Sequence, residues 1–162
     1  MLSVIFMCIW LSIGDSLADP IEPLLTHKVV DEGHDVTLSC SYKDFSGTVR
    51  TLQWYKQYPK STPEFLLYIT PGGVKSDPIP RLSAKVDNNK KQVDLLISSA
   101  AVSDSALYYC AVERGRRAWG TWQSPTDPLT FGKPITLRVE PRDVPRSLPT
   151  LSILISHDSN EK

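Results

Sequence analysis

The sequence predicts an all-β fold in which two antiparallel sheets pack face to face, and three observations carry that expectation. From Leu24 to Val139, short stretches of alternating apolar and polar residues follow one another between turn signals, with no helical period. Such half-buried strands need a facing sheet to cover their apolar sides. At 162 residues the chain has room for one ordinary domain plus a fragment, so one sandwich accounts for nearly all of the patterned region.

Residues 1–18 stand apart. Their apolar core, Leu2 to Ile13, is too short to span a bilayer, and it ends in Ser16-Leu17-Ala18, with small residues where a signal peptidase reads. No basic residue stands near Met1. The expectation is a signal peptide and a mature chain that starts near Asp19 and enters the secretory pathway. Cys8 would leave with the leader, so Cys40 and Cys110 remain as an even pair in an oxidising compartment. The alternative, two reduced buried thiols, is disfavoured by export. A bridge over that span would lower the entropy of the unfolded chain by an amount worth about 4 kcal/mol.

The elements follow in order. "DVTLSCSY" sends Val36, Leu38 and Cys40 to one side and Thr37, Ser39 and Ser41 to the other. "LQWYKQY" and "EFLLYI" flank "PKSTP", a proline-bounded turn. "RLSAKVD" and "QVDLLIS" form a hairpin over "NNKK", with Val93, Leu95 and Ile97 inward. "ALYYCAV" turns Ala106, Tyr108 and Cys110 inward, opposite Leu107, Tyr109 and Ala111, and "ITLRV" adds Leu137 and Val139. After Val139 the character changes. "EPRDVPRSLP" is a proline-rich connector, and "TLSILIS" reads as one more strand with nothing to pair with. The expected organisation is a leader (1–18), a sandwich domain (19–140), and a linker with the truncated first strand of a second domain (141–162).

Charge is balanced, 18 basic against 18 acidic residues, which offers no footprint for nucleic acid. There is no CxxC pair and no His/Cys cluster, so no metal or cofactor site is expected. The three histidines, His27, His34 and His157, fall on an early strand, a turn and the tail, and a Ser/His/Asp arrangement could be assembled only by free choice. The chain is not expected to be an enzyme.

Cys40, Trp54 and Cys110 have the spacing of an immunoglobulin-type sandwich, in which a tryptophan packs on an inter-sheet disulfide. Tyr108, two residues before the second cysteine, stands where a tyrosine corner bonds back to the backbone. Together with "LSCSY", "LQWYKQYP", "RLSAKVD", "DSALYYCAV" and "LTFGK", these residues resemble an antigen-receptor variable domain, specifically the T-cell receptor alpha/delta type. The resemblance runs from Asp19 to about Pro141 and implies the nine-stranded variable form. It also implies a salt bridge between Arg81 and Asp104. One position departs from the family: Phe131-Gly132-Lys133-Pro134 stands where Phe-Gly-x-Gly is usual. Proline has no ladder donor and cannot take a positive φ, so the usual bulge geometry is not expected at Pro134.

The resemblance also assigns surfaces. Tyr55 and Gln57 alternate with Trp54 and Lys56, and Tyr109 with Tyr108, so these side chains face outward. With Pro63, Leu66 and Phe131 they form an expected heterodimer surface, because an exposed aromatic patch of this kind wants a cover. Three loops at one end are expected to bind antigen. The first carries Asp44, Ser46, Thr48 and Arg50, and the second carries Pro71, Gly72 and Val74. The third, from Ala111 to Thr130, carries Glu113, Arg114, Arg116, Arg117, Trp119 and Trp122. Its "RGRR" also resembles a secretory processing site, a reading weaker than chance sequence in a junctional loop.

The expected function is therefore antigen recognition beside a second T-cell receptor chain. "TFGKPITLRVEPR" and the long third loop favour a delta chain with a gamma partner; the alternative is an alpha chain with a beta partner. Signalling subunits and an anchor on the extracellular side of the plasma membrane follow from the family alone, as does an antigen seen with or without a presenting molecule. A non-rearranging immunoglobulin-like receptor or adhesion protein is the competing class.

Overall fold

The computed structural model describes residues 19–115 and 129–142. The expected leader, the middle of the third loop and the segment from residue 143 onward lie outside the described residues. Among the described residues, ten strands form two sheets: β1 (Glu22–Pro23), β2 (His27–Asp31), β3 (Val36–Ser41), β4 (Val49–Gln57), β5 (Glu64–Ile69), β6 (Leu82–Asp87), β7 (Gln92–Ile97), β8 (Ala106–Arg114), β9 (Thr130–Phe131) and β10 (Ile135–Glu140). The first sheet has the order β1-β3-β7-β6; the second has the order β2-β10-β8-β4-β5, with β9 continuing along β8.

Alternation builds the core as the sequence implies. Val36, Leu38 and Cys40 of β3 and Val93, Leu95 and Ile97 of β7 are buried from one side. Leu52 and Trp54 of β4, Tyr108 and Cys110 of β8, and Ile135, Leu137 and Val139 of β10 are buried from the other. The Cys40–Cys110 disulfide joins the two layers at their centre, with the Cα atoms 6.5 Å apart. Trp54, fully buried, lies directly across from Cys110 in the β4/β8 ladder.

Three features depart from plain alternation. The first strand divides: β1 pairs with β3, then the chain crosses at Leu24–Thr26 and β2 pairs in parallel with β10. Beyond β5, the further strand of the nine-stranded form is reduced to a bridge between Ile69 and Lys75. The last strand is broken at the Phe-Gly-Lys-Pro segment. Gly132, Lys133 and Pro134 face only Tyr109 and Cys110, so the break is a one-residue bulge. Pro134 thus falls where no ladder donor is needed. Gly132 serves close approach here and is not among the positive-φ glycines. A Cβ on Gly132 would stand 2.9 Å from the Ile21 carbonyl oxygen and 3.1 Å from the Cys110 sulfur.

The end of the sandwich away from the three loops is tied by Asp104, which closes a short 3-10 turn (Val102–Asp104). Its carboxylate accepts from the Arg81 guanidinium at 2.9 and 3.3 Å and from the Ala101 N–H at 2.9 Å, with Lys56 Nζ at 3.7 Å. Burial works against the charge on Asp104. The Arg81 and Ala101 hydrogen bonds and the charges of Arg81 and Lys56 outweigh it, holding the carboxyl below its ordinary range. Arg81 reaches this place from φ +65, a backbone conformation that non-glycine residues seldom adopt. The Tyr108 hydroxyl donates to the Asp104 carbonyl at 2.8 Å, the tyrosine-corner bond. Burial, then the nearby Asp104 charge, pushes the Tyr108 phenol well above its ordinary range.

Candidate functional site

The outer face of the second sheet is built by the same alternation that buries its inner face. Tyr55 lies opposite Tyr109 in the β4/β8 ladder. Its ring meets Phe65 edge-on at 5.6 Å and Phe131 at 5.0 Å. Phe65 and Phe131 remain 50% and 47% exposed, so the aromatic cluster opens to solvent. The Tyr109 hydroxyl donates to Gln57 Oε1 at 2.8 Å, and Gln57 Nε2 donates to the Ser61 carbonyl at 2.7 Å, so both ends of the Gln57 amide are engaged. Ala111 also faces this side but is fully buried, flanked by its cross-strand partners Gln53 and Phe131.

A bulge decides which β5 side chain joins this cluster. Trp54 pairs with Leu67 and Tyr55 with Phe65, so Leu66 is the extra residue between them. Leu66 is half-buried and packs against the core, while Phe65 takes the place beside Tyr55. Sequence reasoning named Leu66 and missed Phe65. Strict alternation from Leu67 puts Leu66 outward, and only the bulge turns Phe65 there. Pro63, just before β5, is exposed.

The three loops emerge at one end of this sheet. In the first, Asp44, Ser46, Thr48 and Arg50 are exposed, and Phe45 packs on the core beneath them. The second is a tight turn closed on itself: Thr70 N–H donates to the Val74 carbonyl at 2.8 Å, and Val74 N–H returns to Thr70 Oγ1 at 3.0 Å. Gly73 adopts φ +86 there, and Gly72 and Val74 stand out into solvent. Asn88, in the β6–β7 turn, braces both loops. It accepts from the Tyr42 hydroxyl at 3.4 Å and donates to the Pro71 carbonyl at 2.8 Å.

Of the third loop only the stem is described. Arg114 lies over the Phe45 ring at 5.1 Å, and Gly115 N–H donates to the Thr48 carbonyl at 2.7 Å, so the stem is stitched to the first loop. Arg50 Nη1 donates to Glu113 Oε1 and Thr51 Oγ1 to Glu113 Oε2, both at 2.7 Å. Arg116, Arg117, Trp119 and Trp122 lie outside the described residues. Arg50, Thr51, Gln53, Tyr68, Thr70, Val74 and Glu113 line a shallow cleft where the loop end meets the aromatic face.

With that geometry in view, comparison with known proteins is informative. Residues 26–140 match the immunoglobulin V-set domain family. Over 104 residues the chain is 38% identical to human T cell receptor alpha variable 36/delta variable 7, covering 64% of this chain and 85% of that one. Human T cell receptor alpha variable 14/delta variable 4 is 32% identical over 112 residues, covering 69% and 94%. Human T cell receptor alpha variable 22 is 39% identical over 85 residues, covering 52% and 72%. The V-set match spans most of the chain, and the sandwich has the disulfide and tyrosine corner that such a domain requires. The chain belongs to the immunoglobulin V-set family, among the T-cell receptor variable domains of the alpha/delta type.

Proposed function

We propose that this chain recognises antigen as one half of a T-cell receptor, pairing through the outer face of its second sheet and binding through its three loops. The observation that carries the reading is the open aromatic cluster of Tyr55, Phe65 and Phe131. Apart from charged residues at its rim, this face has the composition of an interface core. Gln57, Tyr109, Pro63 and the half-buried flank of Leu66 extend it. The mechanism is binding alone, with no bond made or broken. The exposed Asp44, Ser46, Thr48, Arg50, Gly72 and Val74 and the half-buried Pro71 would contribute to the recognition surface together with residues of the third loop.

The delta assignment rests on "TFGKPITLRVEPR" and on the length between Cys110 and Phe131. It names a gamma chain as partner; an alpha chain would take a beta partner, and the relatives' names include both alpha and delta. Antigen, with or without a presenting molecule, and signalling subunits at the extracellular side of the plasma membrane belong to this reading. Co-expression with gamma and with beta variable domains, followed by sedimentation velocity, tests it. A one-to-one complex with gamma and none with beta is expected; a complex with beta alone would make it an alpha chain, and no complex with either would overturn the pairing.

A further inference from the structure

A continuous chain of hydrogen bonds runs from the aromatic face to the stem of the third loop, and every donor in it points the same way. The Tyr55 hydroxyl donates to Gln53 Oε1 at 2.8 Å. That bond turns the amide nitrogen of Gln53 toward Thr51 Oγ1, at 2.9 Å, and Glu113 Oε2, at 3.4 Å. Thr51 Oγ1 donates onward to the same carboxylate oxygen, and Arg50 closes on the other. Three side chains thus donate to one anion, with Tyr55 behind Gln53, a polarised arrangement in which each bond strengthens the next.

The backbone is shaped to allow it. Val49 pairs with Arg114 and Thr51 with Glu113, so Arg50 is an extra residue in β4. A bulge of this kind re-aims a side chain, and here it delivers the guanidinium to Glu113. Burial, then the Glu113 charge, raises the Tyr55 phenol above its ordinary range, so the hydroxyl remains a donor. The Arg50 side chain is 63% exposed, and an ion pair in water of that kind stabilises little by itself. The half-buried Thr51 and Gln53 bonds carry more of the hold.

We infer that Glu113 is a positioning residue, held by Arg50, Thr51 and Gln53 and oriented through Gln53 by Tyr55, so that the pairing face sets the stem of the antigen loop. The inference rests on the proposed use of that face and assigns Glu113 to holding the loop. Glu113 is then not itself an antigen contact.

Amide hydrogen exchange on the unpaired chain tests this without partner or antigen, so its outcome is independent of whether pairing occurs. The reporter is Gly115 N–H, bonded to the Thr48 carbonyl; the control is Leu95 N–H in the core. Glu113→Gln is expected to speed Gly115 exchange about tenfold, and Tyr55→Phe, which keeps the ring, about threefold, with Leu95 unchanged. In the double variant the Tyr55→Phe effect should vanish, because the anion that the chain serves has gone. Unchanged Gly115 exchange in Glu113→Gln overturns the hold; additive effects in the double variant overturn the link to Tyr55. Should Glu113→Gln also loosen Leu95, Thr51→Val, which removes the 2.7 Å bond to Glu113 and keeps the side-chain shape, replaces it. About threefold faster exchange at Gly115 alone is then expected, and no change would overturn the inference.

Discussion

On the outer face of the first sheet, Ser39 of β3 stands beside Asp94 of β7, and Asp94 beside Lys85 of β6; Thr37, Leu96 and Ser83 form the next row. On the outer face of the second sheet, Tyr55 stands between Tyr109 and Phe65, with Phe131 against its ring. Both sheets bury alternate residues in one shared core, and both leave the other residues outward. The first face is what water rewards. The second gains nothing from water, and the two most exposed rings of its cluster remain about half uncovered. Folding sets the inner faces, whereas the outer face of the second sheet is what the proposed pairing would explain.

Adjacent residues sharpen that contrast most strongly. Trp54→Ala should cost about 3–5 kcal/mol of stability, because it empties the fully buried site beside the disulfide. Its neighbour Tyr55→Ala should cost less, about 1–2 kcal/mol, since that ring is only half-buried on the outer face. Urea midpoints for the two variants measure the gap. Near-equal losses would mean that Tyr55 is a folding residue and that the outer face needs no partner.

The tie at the far end predicts how stability depends on pH. Asp104 has a lowered folded-state pKa, so its contribution is present above the unfolded pKa and is lost as pH falls through the folded one. Asp104→Asn should therefore flatten the acid limb of the stability curve. Tyr108 works in the opposite direction. Its pKa is raised by burial, so its contribution holds below about 10, the ordinary value for a tyrosine, and is lost as pH climbs above it. Tyr108→Phe should flatten the alkaline limb. Thermal melts across pH check both.

The smallest effect is expected at the broken strand. Pro134 sits in the bulge and owes no hydrogen bond, so Pro134→Gly should lower stability by about 0.4–1 kcal/mol, through a freer unfolded chain. A gain in stability would mean that the family's usual glycine fits this bulge better than the proline does.

Much of this was readable before any coordinates. The alternation of β3, β7, β8 and β10 follows from side-chain period, and Cys40, Trp54, Tyr108 and Cys110 announce themselves by spacing. What escaped were events in which two strands disagree by one residue. The bulge that brings Phe65 and not Leu66 beside Tyr55 depends on how β5 meets β4, which no single stretch encodes. The same holds for the extra residue at Arg50. The bonds of Glu113 to Arg50, Thr51 and Gln53 escaped as well, because those partners lie some sixty positions away in the chain. The aromatic face itself was legible, since outward aromatics on central strands are a local signal.

The most direct test of the account places one charge on each outer face and measures pairing. Phe131→Asp and Ser83→Asp should both fold, as each position is exposed. Dissociation constants with a gamma variable domain, read by sedimentation or calorimetry, should rise about a hundredfold for Phe131→Asp and stay within about twofold of the unsubstituted chain for Ser83→Asp. Equal binding by both variants would contradict the claim that the aromatic face of the second sheet is the pairing surface.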